Sequence, residues 1–141
     1  MKPQEGGCVC GAVRFRVKAE PARCAACHCK WCQRRTGGAF GIGAYFKPED
    51  CEILRGELRM YEHRSDETGR WLRSEFCVKC GSTVTWTAEA LPGLRAFAGG
   101  AFDDPKWFHI PRHVWLRSSH PWFVPPADVE RFDKGSLPPP K

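Results

Sequence analysis

The sequence predicts a mainly β protein, and three observations carry that prediction. Apolar and charged residues alternate along Ala12-Val13-Arg14-Phe15-Arg16-Val17-Lys18, the period of a half-buried strand. The runs 58–62 and 71–76 flank the turn-forming stretch Ser65-Asp66-Glu67-Thr68-Gly69 and read as a hairpin. No stretch shows convincing helical periodicity.

Taken in order, Gly7-Cys8-Val9-Cys10-Gly11 opens the ordered chain, and Gly11 permits a tight turn before the first strand. On that strand Val13, Phe15 and Val17 are expected to face the core, and Pro21 ends it. The stretch 27–38 is rich in thiols and closes on the pair Gly37-Gly38, so it reads as a loop. A glycine-spaced strand is expected over 39–46, a turn or single helical turn at Pro48-Glu49-Asp50, and a short strand over 51–54. Cys51 has no thiol neighbour in sequence and reads as an ordinary buried cysteine. After the hairpin, strands are expected over 83–86 and 94–98, separated by Pro92-Gly93, and a last one over 113–116. The tryptophans and phenylalanines read as core or pocket lining, with no individual chemical role.

A chain of 141 residues that is 42% hydrophobic fits one domain, expected over 5–133, with 134–141 as a disordered tail. No apolar run is long enough to cross a bilayer, and none follows Lys2 as in an export signal, which predicts a soluble cytoplasmic protein. Nine cysteines in such a chain argue for metal or redox chemistry rather than a disulfide framework. The formal charge of +6 counts every cysteine as neutral. Seven thiolates holding two zinc ions would lower it to about +3. With no dense basic run and no nucleic-acid module, nucleic acid is an unlikely partner.

The chemistry concentrates in Cys27-His28-Cys29-Lys30-Trp31-Cys32. Three thiolates this close repel one another unless a soft cation neutralises them, and zinc is the usual one. Cys27, Cys29 and Cys32 as ligands leave a fourth tetrahedral position for water or substrate, the mark of a reactive site. Cys24 sets an alternative, because a fourth thiol three residues upstream would close a purely structural site. His28 alternates with two of the thiols and reads as a packing residue pointing away from them. Lys30, Arg34 and Arg35, with Arg23 just before, gather cationic charge around the clamp.

The strongest single motif is Cys77-Val78-Lys79-Cys80-Gly81 at the end of the returning hairpin strand. Its glycine accepts positive φ, and its turn lets backbone amides hold both sulfurs toward one metal. The other half of that site must come from a distant pair, and Cys8 with Cys10 remains once the clamp is assigned. Cys8, Cys10, Cys77 and Cys80 are thus predicted to form a structural zinc site.

These residues resemble one family, the glutathione-dependent formaldehyde-activating enzymes and their centromere protein V-like relatives. The resemblance is carried by Gly6-Gly7-Cys8-Val9-Cys10-Gly11-Ala12-Val13-Arg14-Phe15, by Cys27-His28-Cys29 through Cys32 followed by Arg34-Arg35-Thr36-Gly37, and by Phe76-Cys77-Val78-Lys79-Cys80-Gly81-Ser82 with Trp86. Asp103-Asp104-Pro105 and the segment from His113-Val114 to Ser118 are similar to the family's C-terminal part. The resemblance implies a β-tent fold of small antiparallel sheets tied by zinc. It also implies one structural zinc on Cys8, Cys10, Cys77 and Cys80, and one catalytic zinc on Cys27, Cys29 and Cys32. The implied activity is a carbon-sulfur lyase reaction, the formation or cleavage of S-hydroxymethylglutathione from glutathione, or another small thiol, and an aldehyde. Glutathione carries carboxylates that Lys30, Arg34 and Arg35 are suited to bind. The alternative is a non-catalytic zinc module that docks a protein or another macromolecule.

Overall fold

The computed structural model describes residues 1–137. Its strands are β1 (Gln4–Gly7), β2 (Arg14–Val17), β3 (Arg23–Cys27), β4 (Gly41–Phe46), β5 (Cys51–Arg55), β6 (Leu58–Arg64), β7 (Trp71–Cys77), β8 (Thr83–Ala88), β9 (Arg95–Ala98), β10 (Arg112–Val114) and β11 (Glu130–Arg131), with one α-helix, α1 (Lys30–Thr36). The protein is mainly β, as its alternating pattern predicts. Among the described residues no helix is long and apolar enough to cross a membrane.

Two sheets carry the fold. A three-stranded antiparallel sheet runs β1-β2-β5, and an eight-stranded sheet runs β11-β10-β3-β4-β9-β8-β7-β6. The larger sheet is mixed, because β10 pairs parallel with both β3 and β11. Val13, Phe15 and Val17 are fully buried, as their spacing predicts. Phe15 stacks on Phe97 of the larger sheet at 4.3 Å and meets Phe102 edge-on at 5.1 Å, so aromatic packing joins the two sheets. At the rim of that joint Arg14 Nη1 donates to Asp103 Oδ1 at 2.9 Å, and the Asp103 amide donates to the Glu5 carbonyl.

Four elements depart from the sequence expectations, the short edge strand β11 among them. The stretch read as a loop contains α1, seven residues long, with Cys29 as N-cap and Gly37 as C-cap. Its brevity hides it, since a helix of two turns with no buried residue carries no apolar stripe. Before it, β3 carries no strand signature in the sequence, because Arg23-Cys24-Ala25-Ala26-Cys27 buries small side chains rather than β-branched ones. At the start, β1 already runs from Gln4 to Gly7 and pairs with β2. Of the stretch 134–141 expected as a tail, the Lys134 carbonyl accepts from the Trp115 amide and Ser136 Oγ accepts from Arg23 at 2.5 Å. Residues 138–141 lie outside the described residues.

Candidate metal centres and active site

The first cluster forms where two turns meet. Gly11 and Gly81 each take φ of 77°, and their amides donate back to the carbonyls of Cys8 and Cys77 at 3.1 and 2.9 Å. Each turn therefore presents its two sulfurs toward the other. Cys8, Cys10, Cys77 and Cys80 bring their sulfurs within 4.8 Å of one another. The Cys8–Cys10 and Cys10–Cys77 sulfur separations are 3.6 and 3.8 Å. A tetrahedron of sulfurs about zinc at about 2.3 Å has edges of about 3.8 Å, so the donor set fits such an ion.

Hydrogen-bond donors point at three of these sulfurs. The Val13 amide donates to Cys8 Sγ at 3.2 Å and the Lys79 amide to Cys77 Sγ at 3.4 Å. The Ser82 hydroxyl, 3.1 Å from Cys80 Sγ, is the first cause that holds the Cys80 thiol down to about 5. Ser82 also accepts from the Val9 amide at 3.1 Å, tying one turn to the other.

The second cluster straddles the end of β3 and the start of α1. Cys27, Cys29 and Cys32 lie within 4.8 Å of one another, and no fourth His, Cys, Asp or Glu joins them among the described residues. Cys29 serves the helix and the cluster together, because its sulfur accepts from the Cys32 amide at 3.3 Å as the N-cap. Hydrogen bonds from Cys27 and Cys29 hold the Cys32 thiol well below its ordinary range against burial, with the Arg35 charge helping, while the bond with Cys29 first, then that with Cys32 and burial, push Cys27 well above its own. One thiolate forms readily here, and the other two need a cation.

Cys24 does not close this cluster. It sits three residues before Cys27 on β3, hence on the opposite face, and lies 4% exposed in the apolar core beside Phe46 and Phe97. His28 also turns away, as its position between two thiols predicts. It is fully buried against Phe40 and Phe123, and its Nε2 lies 2.9 Å from His113 Nδ1. Burial first, then the His113 charge, lowers its pKa to about 4, so it stays neutral.

The basic residues divide. Arg35 follows Cys32 by one helical turn, reaches its sulfur at 4.0 Å and stacks over the Trp86 ring at 4.3 Å. Lys30 and Arg34 are exposed, and Arg34 lies 5.2 Å from the Trp31 ring. The hairpin tip braces this side of the helix, with Trp31 Nε1 donating to Asp66 and its ring beside His63. Arg23 bonds Ser136 instead of reaching the thiols.

Sequence reasoning gave no individual role to two aromatic residues of the site. Trp86 Nε1 donates to Tyr45 Oη at 2.9 Å. Burial first pushes the Tyr45 phenol up to about 12, against the Trp86 hydrogen bond and with the Cys32 and Cys27 charges adding to it. A readable signal existed in Gly41-Ile42-Gly43-Ala44-Tyr45, where glycine at alternate positions clears one strand face ahead of a large ring.

Residues 3–118 match the family model of the glutathione-dependent formaldehyde-activating enzyme. The crystal structure of a Rhodobacter sphaeroides protein is similar, with a TM-score of 0.56 and 25% identity over 70% of this chain and 87% of that one. No curated protein matches the chain. With both cysteine clusters inside the matched region, the chain belongs to the glutathione-dependent formaldehyde-activating enzyme family.

Proposed function

We propose that this protein is a zinc-dependent carbon-sulfur lyase that forms or cleaves a glutathione-aldehyde adduct such as S-hydroxymethylglutathione. The observation that carries the reading is the contrast between a cluster of four sulfurs and a cluster of three. Four thiolates complete a structural site, whereas three leave one coordination position for an incoming thiol. In this reading Cys8, Cys10, Cys77 and Cys80 hold the structural zinc, and Cys27, Cys29 and Cys32 the catalytic one. A zinc with three thiolates favours binding and deprotonating a thiol over polarising water.

The protein's own residues supply charge and orientation. Arg35 lies beside Cys32 and over Trp86, which supports a role for it in binding one carboxylate of glutathione. Lys30 and Arg34, exposed on the same helix, are suited to the more distant carboxylate. Held in this way, the glutathione sulfur meets the aldehyde carbon in a fixed direction, and the carbon-sulfur bond forms or breaks without a redox change.

Exchange spectroscopy by NMR on glutathione and formaldehyde at equilibrium tests the reading. The zinc-loaded protein should speed exchange between free and adducted glutathione, and Cys29→Ala should abolish the effect while the Cys77 cluster keeps its metal. Exchange no faster than in buffer would sink the enzyme reading and favour the non-catalytic zinc module.

A further inference from the structure

We propose that the Tyr45 hydroxyl, held by Trp86 on the face of β4 that carries the three-cysteine cluster, donates a hydrogen bond to the aldehyde oxygen as the carbon-sulfur bond forms or breaks. The inference rests on the lyase reading above and names a residue that the reaction needs.

The strand register gives the direction. Gly41, Gly43 and Tyr45 of β4 stand opposite Cys27, Ala25 and Arg23 of β3, so the phenol shares its sheet face with Cys27. A Cβ added at Gly43 would lie 2.9 Å from Tyr45 Cε2 and 2.9 Å from Trp86 Cζ2. Both rings therefore lie over Gly43, and the Tyr45 side chain folds back along its strand toward Gly41. A Cβ at Gly41 would in turn lie 3.4 Å from Cys32 Cβ. The Arg35 guanidinium fills the space over Gly41, so along one sheet face the phenol is followed by Arg35 and then by Cys32.

The hydrogen-bond inventory gives the role. An indole nitrogen can only donate, so Tyr45 Oη accepts from Trp86 and keeps its own hydrogen. Among the described residues nothing accepts that hydrogen. The Trp86 ring is itself fixed, beneath the Arg35 guanidinium and edge-on to Tyr45 with the two ring planes at 88°. A donor with an unused hydrogen, held by a clamped ring on the sheet face that also carries Cys27, is the arrangement that stabilises an oxyanion without reorganising.

The step balances simply. A sulfur lone pair of glutathione forms the carbon-sulfur bond, and the π pair of the aldehyde moves onto its oxygen, where Tyr45 donates. That oxygen then takes from solvent the proton that the thiol had released. In reverse the same donor holds the oxygen while the bonding pair returns to sulfur.

The test uses zinc-loaded protein labelled with 13C at tyrosine Cζ. The chain has two tyrosines, and Tyr45→Phe assigns the pair. The Tyr45 resonance should move when glutathione and formaldehyde are added together and hold nearly still with formaldehyde alone, while that of Tyr61 stays fixed. Tyr45→Phe should lower kcat for exchange by about 10²-fold with KM for glutathione unchanged, in line with the loss of one oxyanion donor. Trp86→Phe, which keeps a ring but not the indole N–H, should lower kcat in the same direction by less, and it decides the matter with the label if Tyr45→Phe fails to fold. A still Tyr45 resonance, or a folded Tyr45→Phe protein that turns over at the wild-type rate or loses only in KM, would overturn this inference and leave the lyase reading standing. A wild type that fails to speed exchange overturns the lyase reading and this inference with it.

Discussion

The guanidinium of Arg35 lies over the Trp86 ring at 4.3 Å from its centre, and the same side chain reaches Cys32 Sγ at 4.0 Å. One cation therefore joins the helix that carries a thiol to the sheet beneath it. Because guanidinium is planar and lightly hydrated, it can stack and still offer its edge to an anion.

Replacing Arg35 with glutamate should weaken glutathione binding more than tenfold, since losing a charge-assisted contact costs about 1.5 to 3 kcal/mol. Arg35→Lys should recover only part of that, lacking both the stack and the fork. Calorimetric titration at low and physiological salt measures it, with cysteamine, a thiol lacking carboxylates, as the control. Equal glutathione affinity in all three proteins would remove Arg35 from the site.

The two clusters should answer mutation differently. Cys77 is 1% exposed and belongs to the apolar core, so Cys77→Ser should unfold or precipitate the protein through loss of metal-linked folding energy of about 10 kcal/mol. Cys29→Ser should leave a folded chain with one metal. Elemental analysis beside thermal melts checks both, and equal destabilisation would erase the division of labour between the clusters.

Cys24→Ala should keep two metals per chain. Its cost is a small void in the core, about 1 kcal/mol, as for deleting one buried methyl-sized group. A protein that lost its second metal on this substitution would make Cys24 a ligand after all.

Acid should expose the joint between Arg14 and Asp103. The Arg14 hydrogen bond first, and its charge, hold the Asp103 carboxyl below its ordinary 3.8. A depressed carboxylate contributes stability above its ordinary value and loses it as pH falls through the lower folded one. The Asp103 side chain is 57% exposed, so the contribution is about 1 kcal/mol or less. Asp103→Asn should melt slightly below the wild type near neutrality, with the gap closing in acid. A gap that stayed constant with pH would show that charge is not the cause.

The cysteine pairing was legible because metal chemistry constrains spacing more tightly than packing does. Cys8 with Cys10 and Cys77 with Cys80 declare themselves by short separations and a following glycine, and the fold brings them together. The alternation at Val13, Phe15 and Val17 was legible for a similar reason, since a strand has only two faces. By contrast α1 owes its existence to a cysteine cap and to contacts with distant residues, as Trp31 with Asp66 and Arg35 with Trp86 show. Such support leaves no local period to read. The parallel pairing of β10 with β3 is equally invisible, because strands that are neighbours in the sheet but have β4 to β9 between them in sequence carry no shared turn signal.

The two clusters differ in how far apart their ligands stand along the chain, and that difference sets an order of assembly. Cys27 and Cys32 are five positions apart, whereas Cys10 and Cys77 are 67 apart. Closing the longer span from an unfolded chain costs about 2 kcal/mol more. The short cluster can thus capture a cation while the chain is still open, and the long one fills only when the two sheets have found each other. When metal is scarce during synthesis, the first ion is expected at the three-cysteine cluster and the four-cysteine cluster is completed last.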